Sequence, residues 1–118
     1  MENTPLSDDA VTDLTYLSQF CEGDPTRMHA YTDLYIAAIP AFAQRLTAAA
    51  TAQNLDELSG LMHSIKPKCM MMGMKKANDL RAQIEILCNN EQNTPDLYAQ
   101  LIVFEEYLKK SVEELSGR

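Results

Sequence analysis

Asp24-Pro25 and Thr94-Pro95 each set a side-chain acceptor before a proline, and Asn54 is followed three residues on by Glu57. All three are helix starts: the first residue caps a backbone amide, and proline at the first helical position gives up no hydrogen bond. After each of them apolar residues recur at three- and four-residue spacing. Tyr31, Leu34, Tyr35, Ala38, Phe42, Leu46 and Ala49 mark one face of the second segment, with Pro40 inside it, where it should kink or divide the helix. Leu55, Leu58, Met62, Ile65, Cys69 and Met72 mark the third, which closes at Gly73. A fourth runs from about Lys75 to Cys88, with Ala77, Leu80, Ile84 and Leu87 facing inward and Asn89-Asn90 ending it. Leu97, Leu101, Phe104, Leu108, Val112 and Leu115 mark the fifth. A first segment, capped by Ser7, carries Val11, Leu14, Leu17 and Cys21 and ends near Gly23. Few runs of Val, Ile and Thr are available for strands. The expected fold is therefore all-α: an antiparallel up-and-down four-helix bundle with an additional N-terminal helix across one end, in one domain over residues 1–118.

The three cysteines, Cys21, Cys69 and Cys88, are scattered and odd in number, which argues against a disulfide framework and for a reducing compartment. The two histidines are far apart, so no metal or cofactor site is expected. Residues Met1 to Pro5 lack the basic and apolar regions of a signal peptide, and no apolar run approaches membrane-spanning length; a cytoplasmic location is expected. A net charge of −7 disfavours nucleic acid and anionic membrane as partners. The charge is uneven, however. Between Leu58 and Arg81 stand Lys66, Lys68, Lys75, Lys76 and Arg81 against Asp79 alone, a basic island on an acidic chain.

That island surrounds His63. On a helix His63, Lys66, Pro67 and Met70 share a stripe, with Ser59 and Gly60 one turn earlier. The stripe is turned away from the Leu58, Met62, Ile65 core line, so the imidazole can reach solvent, and small neighbours let another protein approach. A neutral imidazole, with an ordinary pKa of about 6.5, is a good nitrogen nucleophile near neutral pH. Phosphoryl transfer depends mainly on positioning and on neutralising the equatorial oxygens. Lys66 is placed to do the latter, and Lys68, Lys75 and Lys76 add a field that favours an acidic partner.

His63-Ser64-Ile65-Lys66, with Gly73 ten positions after the histidine, resembles the HxLK…G signature of histidine-phosphotransfer (HPt) domains. Gly23-Asp24, Asn54-Leu55 and the stretch from Leu80 to Glu85 also sit where that family places comparable residues, so the likeness covers nearly the whole chain. The resemblance implies a four-helix bundle without kinase activity, phosphorylated on His63, with Lys66 stabilising the phosphate. Ser59, Gly60, Pro67, Lys68, Met70, Gly73, Lys75 and Lys76 would form the surface that meets a partner. Implied partners are response-regulator receiver domains and a hybrid histidine kinase, with Mg²⁺ belonging to the receiver and the chain itself a monomer. Two residues depart from the pattern: Pro67 replaces the usual glycine after the lysine, and Met70 stands where a small residue is usual. Both bear on partner choice.

Elsewhere the bland readings are preferred. His29 has no lysine or glycine context and is expected to be structural or merely exposed. Met70, Met71, Met72 and Met74 are expected to be core and rim packing, and Cys69 an inert buried thiol. The alternative to a phosphate carrier is a non-catalytic helical adaptor that binds through the Met-rich basic surface from Met70 to Lys76.

Overall fold

The computed structural model describes residues 10–117. Its elements are α1 (Thr15–Phe20), α2 (Pro25–Thr51), α3 (Leu55–Met71), α4 (Lys75–Asn89) and α5 (Pro95–Ser116), with no strand among the described residues. The starts of α2, α3 and α5 are the expected ones. Asp24 accepts from the amide of Thr26 at 3.0 Å, Asn54 from that of Glu57 at 3.1 Å, and Thr94 from that of Leu97 at 3.4 Å. Only half of the capping box at Asn54 forms, because the Glu57 carboxylate pairs instead with Arg45 at 3.2 Å.

Helices α2, α3 and α4 end alike. One residue past each cap turns into the left-handed region: Gln53 at φ 53°, Gly73 at φ 63° and Glu91 at φ 56°. The next amide then reaches back to the helix, Asn54 to Ala49, Met74 to Cys69 and Gln92 to Leu87. Each turn therefore reverses the chain within a few residues. Sequential helices lie side by side and antiparallel, with α2 and α4 each touching both α3 and α5. Leu46, Leu58, Met62, Ile65, Phe104 and Leu108 fill the space between them at 0–2 % exposure. Each such side chain contributes roughly 1.5–3 kcal/mol by its removal from water.

Three expectations are corrected. Leu34 is 67 % exposed rather than in the core. The inward line of α2 runs through Thr32, Tyr35, Ile39, Leu46 and Ala49, and Leu34 stands about 100° around the helix from Tyr35. Pro40 does not divide α2, which runs unbroken from Pro25 to Thr51. It lies on the exposed face, where the carbonyl that loses its donor can turn to solvent. Finally, α1 begins only at Thr15, and Ser7 lies outside the described residues.

Residues 11–13 form a non-helical strap instead. The amides of Val11 and Thr12 and the Thr12 hydroxyl donate to the Glu114 carboxylate at 2.7, 3.0 and 2.6 Å. The Asp13 amide donates to the carbonyl of Met72 at 3.0 Å, and the Asp13 carboxylate accepts from the amide and hydroxyl of Thr15. Helical spacing of Val11 and Leu14 still packs both against the core. Their backbone donors have simply found a better acceptor than the next turn.

Partial burial pushes the Glu114 carboxyl up, but the Thr12 hydroxyl, the two amides and the Lys110 charge together hold it below its ordinary value of 4.5. The unfolded chain therefore takes up a proton there before the folded one does. The stabilisation by this contact is complete above about pH 4.5 and is lost as the pH falls through the lower folded value. Glu114→Gln is expected to lower the thermal midpoint at neutral pH, and the gap to the parent should close as both are titrated below pH 4.5. A gap independent of pH would refute the ionic character of the strap.

Candidate functional site

Helix α3 places Met62 and Ile65 in the core at 0 and 2 % exposure, and the residue between the two buried turns, His63, falls outside. Its side chain is 76 % exposed. Across the seam from α4, Glu85 reaches the ring, with its Oε2 3.2 Å from His63 Nδ1. A carboxylate only accepts, so Nδ1–H donates and the lone pair is left on Nε2. The other carboxylate oxygen, Oε1, accepts from Arg81 at 2.8 Å. Arg81 is 4 % exposed and is held further by Asn78 Oδ1 at 2.7 Å and by the carbonyl of Met62 at 3.3 Å.

Around the ring, Lys66 is exposed one turn on along α3, and among the described residues it pairs with no carboxylate. One turn before His63, Gly60 is open: a Cβ built there meets nothing within 4 Å. Ser59 is half-buried and donates to Asn89 at 2.6 Å. Beyond Lys66, α3 separates two shallow apolar grooves. Pro67 and Lys68 line one of about 210 Å³ with Tyr31, Leu34 and Met71. Met70, Gly73 and Lys75 line the other, of about 270 Å³, with Tyr16 and Met74. Met70 is 55 % exposed between them. Lys76 is exposed but lines neither groove, and Lys75 is tied to Asp79 at 3.2 Å. Ser59 and Gly60 lie on the far side of the histidine from both grooves. Gly73 faces inward as much as outward, packed against the backbone of Asp13.

The basic island is smaller than the sequence suggests. Arg81 does not belong to its surface, since it is buried and neutralised by Glu85. Arg81 and Glu85 are the residues that sequence reasoning missed. A signal was there: Ala77, Arg81, Ile84 and Cys88 stand at spacings of four, three and four, so an arginine sits on the buried line of α4, with a carboxylate one turn on. The apolar residues expected on that line, Leu80 and Leu87, flank it half-buried.

The other groups behave as the bland readings had them. His29 is exposed, Met72 and Met74 are buried, and Met71 is half-buried. Burial pushes the Cys69 thiol up to about 11, against a smaller opposing pull from Arg81, so it stays a thiol at neutral pH. No group of three His, Cys, Asp or Glu side chains that could hold a metal ion exists among the described residues. Among the described residues no helix is long and apolar enough to cross a membrane.

A protein-family model described as the Hpt domain matches residues 30–117, from the second turn of α2 to the end of α5. No curated protein and no solved structure matches the chain.

Proposed function

The chain belongs to the Hpt domain family, whose members are phosphocarriers of phosphorelays rather than kinases, and on that premise we propose that His63 accepts a phosphoryl group from one receiver domain and donates it to another. The observation that carries this reading is the state of the ring: open to solvent over 76 % of its side chain, and held from behind at Nδ1 by Glu85.

In the accepting step the Nε2 lone pair attacks phosphorus of a receiver's aspartyl phosphate. The N–P bond forms as the P–O bond breaks, and the aspartate leaves as a carboxylate. Nδ1 keeps its proton, so the phosphorylated ring is cationic, and the Glu85 carboxylate faces the proton that carries this charge. Return transfer reverses each change, with the electron pair going back to Nε2. Mg²⁺ belongs to the receiver, and this chain supplies Lys66 to the equatorial oxygens. Pro67 and Met70 add an apolar edge to the docking surface, and Lys68, Lys75 and Lys76 give it a positive rim. A hybrid kinase delivers phosphate through such a receiver.

The test is label transfer from a phosphorylated receiver in the presence of Mg²⁺. The parent protein should take the label, and Lys66→Ala should slow transfer by about 10- to 100-fold. That is less than the 10²–10³ cost of losing an enclosed oxyanion donor, because Lys66 is in water. An unchanged rate would remove Lys66 from the site.

A further inference from the structure

We infer that Arg81 is a positioning residue for His63: from within the bundle it fixes the Glu85 carboxylate, and through it the tautomer of the histidine ring. Arg81 lies on the buried line of α4 between Ala77 and Ile84, where an apolar side chain would pack without desolvating a charge. Its contacts explain its presence. Nε is anchored on Asn78 at 2.7 Å, and NH1 donates both to the carbonyl of Met62 at 3.3 Å and to Glu85 Oε1 at 2.8 Å. Met62 directly precedes His63, so one rigid fork ties the backbone beside the histidine to the carboxylate on its ring.

Glu85 divides its two oxygens accordingly, Oε1 to Arg81 and Oε2 to His63 Nδ1. The Glu85 side chain is 22 % exposed, and without Arg81 it is free to turn to water. A glutamate without such an anchor samples several rotamers, and one that reaches across to α3 is only one of them. With Arg81 in place the acceptor is fixed before any partner arrives. The ring then presents Nε2 unprotonated, and the cost of orienting it is met by the fold rather than at each encounter. Neither element alone accounts for this. The histidine is on α3 and its orienting pair is on α4, joined at the most extensive helix contact in the bundle.

The experiment reads the ring directly. In unphosphorylated protein, at a pH where the imidazole is neutral, ¹⁵N–¹H correlations distinguish Nδ1–H from Nε2–H. The parent should show the Nδ1–H form of His63. Arg81→Met, which keeps an unbranched apolar stem and removes the guanidinium, should shift the ring towards the Nε2–H form that free histidine favours. Glu85→Ala should do the same, and Arg81→Met on top of Glu85→Ala should add nothing further. Asn78→Ala, which only loosens the anchor, should shift it part of the way and serves as the second variant should Arg81→Met not fold. Acceptance of phosphate should fall about tenfold in Arg81→Met, the lower end of what losing an outer hydrogen-bond partner costs a metal-bound histidine.

An unchanged ring signature in folded Arg81→Met, or in Asn78→Ala if Arg81→Met does not fold, would overturn the assignment. So would additive effects of the arginine and glutamate changes. The expected rate rests on His63 being the carrier, whereas the tautomer does not, so the two can fail separately.

Discussion

Replacing His63 by glutamine is expected to abolish phosphate acceptance while leaving the bundle as stable as the parent, within about 0.5 kcal/mol. The first half follows from chemistry. An amide nitrogen has its lone pair tied up in resonance and does not attack phosphorus, so no slower route through the same position exists. The second half follows from exposure. With 76 % of the side chain in solvent, and only a single hydrogen bond to Glu85, little packing is lost. A glutamine amide can itself donate to that carboxylate, so Glu85 keeps a partner. Circular dichroism and thermal melting check the fold, and label transfer checks the function. His29→Gln, at the other histidine and likewise exposed, should change neither. Residual transfer to the glutamine variant would move the phosphorylated residue elsewhere.

The largest effect on stability is expected at Gly73. Alanine there meets two obstacles. The backbone sits at φ 63°, where any Cβ costs roughly 1–2 kcal/mol. The Cβ would also stand 1.9 Å from the Asp13 carbonyl oxygen and 2.8 Å from its carbon. Both are backbone atoms and no rotamer relieves them, so the strap must move. Moving it breaks the Asp13 amide bond to Met72 and strains the grip of Glu114 on Val11 and Thr12, at about 1 kcal/mol or more per lost bond. Gly73→Ala should therefore cost about 3 kcal/mol or more and lower the melting temperature by about 10 °C or more. Gly60→Ala is the internal control. Its Cβ enters open space within α3, so the change should be neutral or stabilising by up to about 1 kcal/mol. Equal effects at the two glycines would show that the strap is not seated on Gly73.

What could be read in the sequence was what is decided locally. Asp24, Asn54 and Thr94 each act within three residues of themselves, and each starts its helix as expected. The reversal at Gly73 likewise depends on a few neighbouring bonds. The fate of Val11 and Thr12 does not, because their acceptor lies on Glu114, about a hundred residues away. Leu34 was misplaced for a milder reason. Next to Tyr31 and Tyr35, and ahead of the alanine-rich turns of α2, its phase is ambiguous by about one residue.

The site divides in the same way. His63, Lys66 and the small residues before them share one helix and could be placed on one face by spacing alone. Glu85 and Arg81 come from the next helix. Charge count put Arg81 on a solvated surface, whereas its place on the buried line of α4 makes it the carboxylate's partner. A helix phase corrected by one residue brings that pair into view.

One measurement bears most directly on the proposed role. The protein is incubated with a panel of phosphorylated receiver domains and Mg²⁺, and the label it acquires is mapped by peptide and by chemical stability. Acid-labile, base-stable phosphate on the peptide that contains His63, bound at Nε2 and returnable to a dephosphorylated receiver, is the expected result. A folded protein that takes no label from any receiver of the panel, or takes it on another residue, would contradict the role given to His63.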